Sequence, residues 1–117
     1  MSTPPVNTDR LIESFGADFK FLNDIYTAYL VDSGERIKLL KGHVAAEQVD
    51  ACGHSAHALK GASANIGADT LATLAGELEL MARSGDLSKG PAMMNEITPE
   101  FESVRTFLIG YLDSIRP

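Results

Sequence analysis

The stretch that decides the fold is residues 57–68, which read HALKGASANIGA. This alanine-rich run is compatible with an α-helix. Residues three and four apart share one face of a helix, so His57 stands beside Lys60 and Gly61. A titratable imidazole, a fixed positive charge and a position without a side chain together predict a docking site for a phosphoryl group and its carrier.

The helix that contains this run has two different sides. Within about 60° of His57 on a helical wheel lie only small or polar residues, namely Asp50, Gly53, His54, Lys60, Gly61 and Ala64. The opposite side forms a core stripe of Cys52, Leu59, Ala62 and Ile66, with Ser55 and Ser63 nearby. Two glycines in a helix interior cost about 0.5–1 kcal/mol each relative to alanine. Bare backbone around one imidazole therefore indicates close approach by an external molecule.

Simpler interpretations of these residues remain open. A single histidine on a polar helix face is usually only solvated, and the glycines could instead serve close helix packing. His54 lies one turn before His57 on the same face and is the rival reactive residue, or a neighbour that tunes charge. A metal site at this pair is disfavoured, because only Asp50 adds a carboxylate and zinc sites usually need three or four ligands.

Hydrophobic periodicity on either side of this run predicts an all-α chain, an antiparallel four-helix bundle with an additional short N-terminal helix. Residues 1–7 are assigned to a flexible polar tail and residues 8–117 to the single domain. Asp18 and Asp69 are predicted N-caps, and Gly67 suits the left-handed position that ends a helix. The predicted helices cover residues 8–15, 18–46 with a break or kink at 32–34, 48–66, 69–84 and 88–115.

A second stripe lies on the predicted fourth helix. Ala72, Gly76, Glu79 and Arg83 recur there at i, i+4, i+7 and i+11, on one flank of the apolar face. The two small residues permit a close neighbour. Glu79 and Arg83 form an oppositely charged pair one turn apart, which on an open surface would contribute only tenths of a kcal/mol.

The run from Ala56 to Gly61, closed by Gly67 and Ala68, resembles the signature of histidine-containing phosphotransfer (HPt) domains. Family-like spacing extends to Phe21-Leu22, to Ile37, Leu39 and Leu40, to Leu78-Glu79 and to residues 83–87, so the resemblance covers roughly residues 8–113. It implies a helical bundle whose last helix continues through Pro99 with a kink, rather than one that starts near Thr98.

The resemblance also implies roles for the site residues. His57, rather than His54, would accept a phosphoryl group from a receiver-domain aspartate and pass it to another receiver domain. Glu79 would accept a hydrogen bond from Nδ1, which leaves Nε2 as the nucleophile. Lys60 would supply positive charge, together with Arg83. The implied binding surface consists of Gly53, His54, Gly61, Ala64 and Arg83.

The implied partners are response-regulator receiver domains and a hybrid sensor histidine kinase. No cofactor is expected on this chain, and Mg²⁺ is expected only on the partner receiver domain. The sequence has no glycine-rich nucleotide loop, so we expect a phosphocarrier without its own ATP site rather than an enzyme. The alternative is a helical interaction module that binds a receiver or kinase domain without covalent transfer.

Composition and net charge limit the partners and the cellular location that we expect for this chain. Its 117 residues carry a formal net charge of −6, which argues against nucleic acid as the main partner. No apolar run approaches the length of a membrane span, and Met1 to Pro5 lack a secretory pattern. The single Cys52 cannot form an internal disulfide. We therefore expect a cytoplasmic protein that does not bind membranes, with a monomer as the default state.

Overall fold

The computed structural model describes residues 3–117 and contains helices over most of that range. The predicted four-helix bundle with a short N-terminal helix is confirmed. Helices α3 and α4 form the most extensive helix–helix interface. Helix α2 packs against α3, α5 packs against α4, and α2 and α5 pack against each other. In chain order the helices are α1 (Asp9–Phe15), α2 (Phe19–Ala45), α3 (Val49–Ile66), α4 (Asp69–Arg83) and α5 (Gly90–Ile115).

The sequence predicts a break or a kink at residues 32–34; helix α2 is continuous there, so the break is wrong and the kink stays a prediction. Ser33 is buried, and a Cβ on Gly34 would lie 3.7 Å from the ring of Phe101 in α5. Packing on the core therefore outweighs the weak helix propensity of these residues. The predicted cap is confirmed, because Oδ2 of Asp18 accepts a hydrogen bond from the backbone nitrogen of Phe21 at 3.0 Å.

In the turn between α3 and α4, the prediction for Gly67 is confirmed and the prediction for Asp69 is wrong. Gly67 ends α3 with φ 88° and ψ 13°, the predicted left-handed conformation. Asp69 is not the N-cap of α4, because Ala68 holds that position and Asp69 is the first helical residue. The Asp69 carboxylate instead binds both terminal nitrogens of Arg10, at 2.6 and 3.0 Å.

The segment before α1 packs on this turn. Val6 is 2% exposed, and the backbone nitrogen of Asn7 donates to the carbonyl of Gly67 at 2.9 Å. Arg10 also donates to the carbonyl oxygen of Ala64 at 2.8 Å. The packed part of the chain therefore begins before the predicted boundary between residues 7 and 8, while residues 1 and 2 of the predicted tail lie outside the described residues.

Helix α5 contains Pro99 in its interior, so the longer of the two predicted helices is confirmed. Its predicted inner face is buried and consists of Phe101, Val104, Leu108 and Leu112. The helix begins at Gly90 rather than at residue 88, and the kink at Pro99 stays a prediction. Within residues 3–117, no helix combines the length and the apolar character needed to cross a membrane.

Candidate functional site

His57 lies in the middle of α3 and points its imidazole outward, with 61% of the side chain exposed. Its Nδ1 lies 2.9 Å from Oε2 of Glu79 on α4. An ionised carboxylate can only accept hydrogen bonds, so in the neutral ring the proton sits on Nδ1. Nε2 then carries the free lone pair, and it has no hydrogen-bond partner among the residues that the structure describes.

Glu79 is the buried centre of the site, with a side chain only 6% exposed. Its Oε1 lies 3.0 Å from Nζ of Lys60, and its Oε2 accepts bonds from Nε and Nη2 of Arg83 at 2.9 and 2.6 Å. The hydrogen bonds from Arg83, then Lys60 and His57, lower the pKa of Glu79 to about 2, although burial by itself would raise it. The carboxyl group is therefore ionised throughout the neutral range, and its charge is compensated.

Both predicted cations, Lys60 and Arg83, are therefore paired with Glu79. The sequence predicts positive charge near His57 from Lys60 and Arg83, and it also predicts an ion pair between Arg83 and Glu79. The structure contains that pair and places Lys60 on the same carboxylate. One carboxylate and two fixed cations leave one net positive charge beneath the imidazole. A buried charge needs this kind of pairing, because an uncompensated carboxylate inside a protein is strongly unfavourable.

His54 is exposed and lies beside a shallow cavity one turn before His57. The wall of this cavity is formed by Val49, Asp50, Gly53, His54, Ala82 and Arg83. His54 has no carboxylate partner like the one that orients His57 among the described residues. A Cβ on Gly53 would make an ordinary 3.5 Å contact with Cβ of Ala82, so close helix packing does not require glycine there.

Gly61 and Ala64 continue the same face toward the end of α3. Gly61 is exposed, and a Cβ there would meet nothing within 4 Å, so internal packing does not explain this glycine. Ala64 is half-buried and supplies the carbonyl that Arg10 binds. At these two positions the α3 face next to His57 therefore carries no bulky side chain.

Sequence reasoning missed the role of Gly76. The sequence predicts only that this small residue permits a close neighbour, and the structure identifies that neighbour as the side chain of Lys60. The available signal was its position one turn before Glu79 on α4. Within residues 3–117, no group of three or more His, Cys, Asp or Glu side chains is arranged to hold a metal ion.

Comparison with known proteins agrees with this geometry. The model of the Hpt domain family matches residues 24–107. The chain belongs to the Hpt family. This Hpt protein is also similar to the crystal structure of histidine-containing phosphotransfer protein B (HptB) from Pseudomonas aeruginosa PAO1, with a TM-score of 0.85 and 30% identity over 98% of this chain and 100% of that chain. A search of curated proteins gave no match.

Membership of the Hpt family establishes the general function of the chain. The chain is a histidine phosphotransfer protein of a phosphorelay, as predicted, and the interaction module without covalent transfer is not favoured. Hpt proteins are phosphocarriers rather than classical enzymes, and they interact with receiver domains and histidine kinases.

Proposed function

We propose that His57 is the phosphoacceptor of this Hpt protein. It takes the phosphoryl group from the aspartyl phosphate of one receiver domain and gives it to the aspartate of another. The observation that carries this proposal is the 2.9 Å bond between Nδ1 of His57 and the buried carboxylate of Glu79. That bond fixes the ring and directs the lone pair of Nε2 toward solvent.

The transfer is a displacement at phosphorus. The lone pair of Nε2 attacks in line, the Nε2–P bond forms, and the bond between phosphorus and the aspartyl oxygen breaks. The receiver carboxylate leaves with the bonding electrons. The imidazole keeps its Nδ1 proton and gains positive charge, which the Glu79 carboxylate stabilises. Transfer to the next receiver domain is the same displacement in reverse.

Lys60 and Arg83 make this arrangement compatible with an anionic substrate. A bare carboxylate below the ring would repel the phosphoryl oxygens, whereas two cations on Glu79 give the cluster a net positive charge. Positioning and electrostatics supply most of the catalysis in phosphoryl transfer. Gly53, His54, Gly61 and Ala64 form the low surface on which the receiver domain docks.

The partner supplies the remaining chemistry. Mg²⁺ belongs to the receiver domain, and this chain needs no cofactor and does not phosphorylate itself from ATP. The upstream partner is the receiver domain of a hybrid sensor histidine kinase, and the downstream partner is a response regulator. The protein acts as a cytoplasmic monomer, and neither nucleic acid nor a membrane is a partner.

The test is a transfer assay against each receiver domain of the host, phosphorylated beforehand with a radioactive label. We expect the label to move to this chain and to be acid-labile and base-stable, as a phosphohistidine is. Stable binding of phosphorylated receiver domains without any transfer of label would contradict the proposal and favour the pure interaction module.

A further inference from the structure

Gly76 lies on α4 directly beneath the side chain of Lys60. A Cβ at this position would be 3.2 Å from Cδ of Lys60 and 4.0 Å from its Cγ. Apart from its two chain neighbours and the adjoining α4 backbone, no other heavy atom of residues 3–117 comes within 4 Å of that point. The stem of Lys60 therefore crosses from α3 to α4 over the bare backbone of Gly76.

The backbone itself does not require glycine at this position. Gly76 lies inside α4, and the glycines with positive φ are Gly16, Gly67 and Gly85. A glycine within a helix destabilises it by about 0.5–1 kcal/mol relative to alanine. Neither the conformation of Gly76 nor a close approach of the α3 backbone accounts for this cost, since the side chain of Lys60 is the one close neighbour from outside α4 within residues 3–117.

The crossing ends at the centre of the site. The ammonium of Lys60 lies 3.0 Å from Oε1 of Glu79, which follows Gly76 by one turn of α4. More than half of the Lys60 side chain is covered, with 42% exposed, so the stem lies against the protein rather than extending into solvent. The route over Gly76 thus determines where one of the two cations on Glu79 sits.

We propose that Gly76 is a positioning residue for phosphotransfer. The space above its bare backbone, which we call the seat, accommodates the Lys60 stem and so keeps the Lys60 ammonium on Glu79. This inference rests on the function proposed above. A Cβ in the seat would force the stem to move by a few tenths of an ångström and would weaken the contact with Oε1. Glu79 would then keep its ion pair with Arg83, but Lys60 would neutralise less of the Glu79 charge. The same cluster stabilises the positive charge that forms on His57 during transfer.

The first experiment compares Gly76→Ala with the matched control Gly110→Ala. Gly110 is an exposed glycine inside α5, and a Cβ there meets nothing within 4 Å. The control should gain helix stability and transfer at the original rate. Gly76→Ala should transfer about threefold more slowly, because a partly exposed ion pair affects a rate by no more than about fivefold.

A double-mutant cycle then tests whether Gly76 acts through Lys60. Gly76→Ala is combined with Lys60→Met, and the single-turnover rate is measured as a function of receiver concentration. We expect alanine at position 76 to lower the maximal rate when Lys60 is present and to have no effect beside methionine. Equal slowing in both backgrounds, or a change only in the half-saturating receiver concentration, would make Gly76 a direct docking contact and overturn the inference. No slowing in either background would also overturn it.

Unfolding measurements on the same four proteins separate this inference from the proposed function. If Gly76 seats Lys60, the two substitutions change the unfolding equilibrium constant non-additively. Should the original protein accept no phosphoryl group from any receiver domain, the proposed function fails, and non-additive unfolding still supports the seat. Additive unfolding together with normal transfer by Gly76→Ala would reject the seat alone.

Discussion

His57 and Glu79 form a hydrogen bond of 2.9 Å between an exposed imidazole and a buried carboxylate. The same carboxylate oxygen accepts two further bonds from Arg83. The ring is therefore held from the protein side alone, and its solvent side is left open. In the proposed function, this asymmetry lets His57 meet two different receiver domains without rearranging the atoms that orient it.

The phosphoacceptor is tested by replacing each histidine of the α3 face separately. His57→Gln should keep the fold, because the side chain is exposed, and should abolish phosphate acceptance, because glutamine lacks the nucleophilic nitrogen. His54→Gln is the matched control and should retain the label. A labelled His57→Gln protein with an unlabelled His54→Gln protein would mean that His54 is the acceptor.

The open surface at Gly61 is tested by adding bulk without charge. Gly61→Gln should leave stability unchanged or slightly higher, because no internal atom lies near the new side chain and glutamine favours a helix more than glycine. Transfer should fall about tenfold or more, equivalent to about 1.4 kcal/mol of lost docking or activation energy. Gly110→Gln is the control on α5, and an unchanged rate in Gly61→Gln would remove the argument for close approach.

The role of Glu79 is tested by Glu79→Gln, which preserves size and removes the charge. Transfer should slow about tenfold, since charge-assisted hydrogen bonds are worth about 1.5–3 kcal/mol and the neutral amide retains only part of that. Circular dichroism should show an intact bundle. Glu77→Gln on the exposed side of α4 should have no effect, and equal rates for both variants would reduce Glu79 to a structural ion pair.

The depressed pKa of Glu79 makes part of the stability dependent on pH. Its folded value of about 2 lies below the ordinary 4.5, so this contribution is fully present above pH 4.5 and is lost as the pH falls toward 2. Urea unfolding of the original protein and Glu79→Gln should show a free-energy difference that shrinks across this interval. The pKa values of Asp69 and Asp86 are also lowered, and their contributions cancel in the comparison. A difference independent of pH would contradict the prediction.

Replacing Gly67 should destabilise the fold by more than the backbone strain of a left-handed residue alone. Gly67→Ala should destabilise the fold by more than the roughly 1–2 kcal/mol of a left-handed alanine, because the new Cβ would also overlap the carbonyl of Asn7. Gly85→Ala is the matched control, with φ of 80° and no atom within 4 Å. Thermal unfolding should rank the two variants in this order, and equal losses would show that Asn7 simply moves away.

Features set by local sequence were predictable, and features set by distant contacts were not. The end of α3 at Gly67 follows from the local sequence. The bond between His57 and Glu79 joins two helices, and only the HPt resemblance implies it. The continuity of α2 depends on Phe101, which packs near Gly34 from another helix. The Asp69 prediction failed because Arg10, 59 residues away in sequence, binds that carboxylate. The route of Lys60 over Gly76 likewise depends on how closely two helices approach.

The arrangement of the site on α3 and α4 has a consequence for folding. His57 and Glu79 are 22 residues apart, on consecutive helices joined at Gly67. Closing so short a loop costs little chain entropy, and contacts between near neighbours in sequence form fast. During synthesis this helical hairpin is complete before the first residue of α5 is added. We expect the phosphoacceptor geometry to arise early in a nascent chain, while resistance of the finished protein to unfolding depends on the two long helices that close around it.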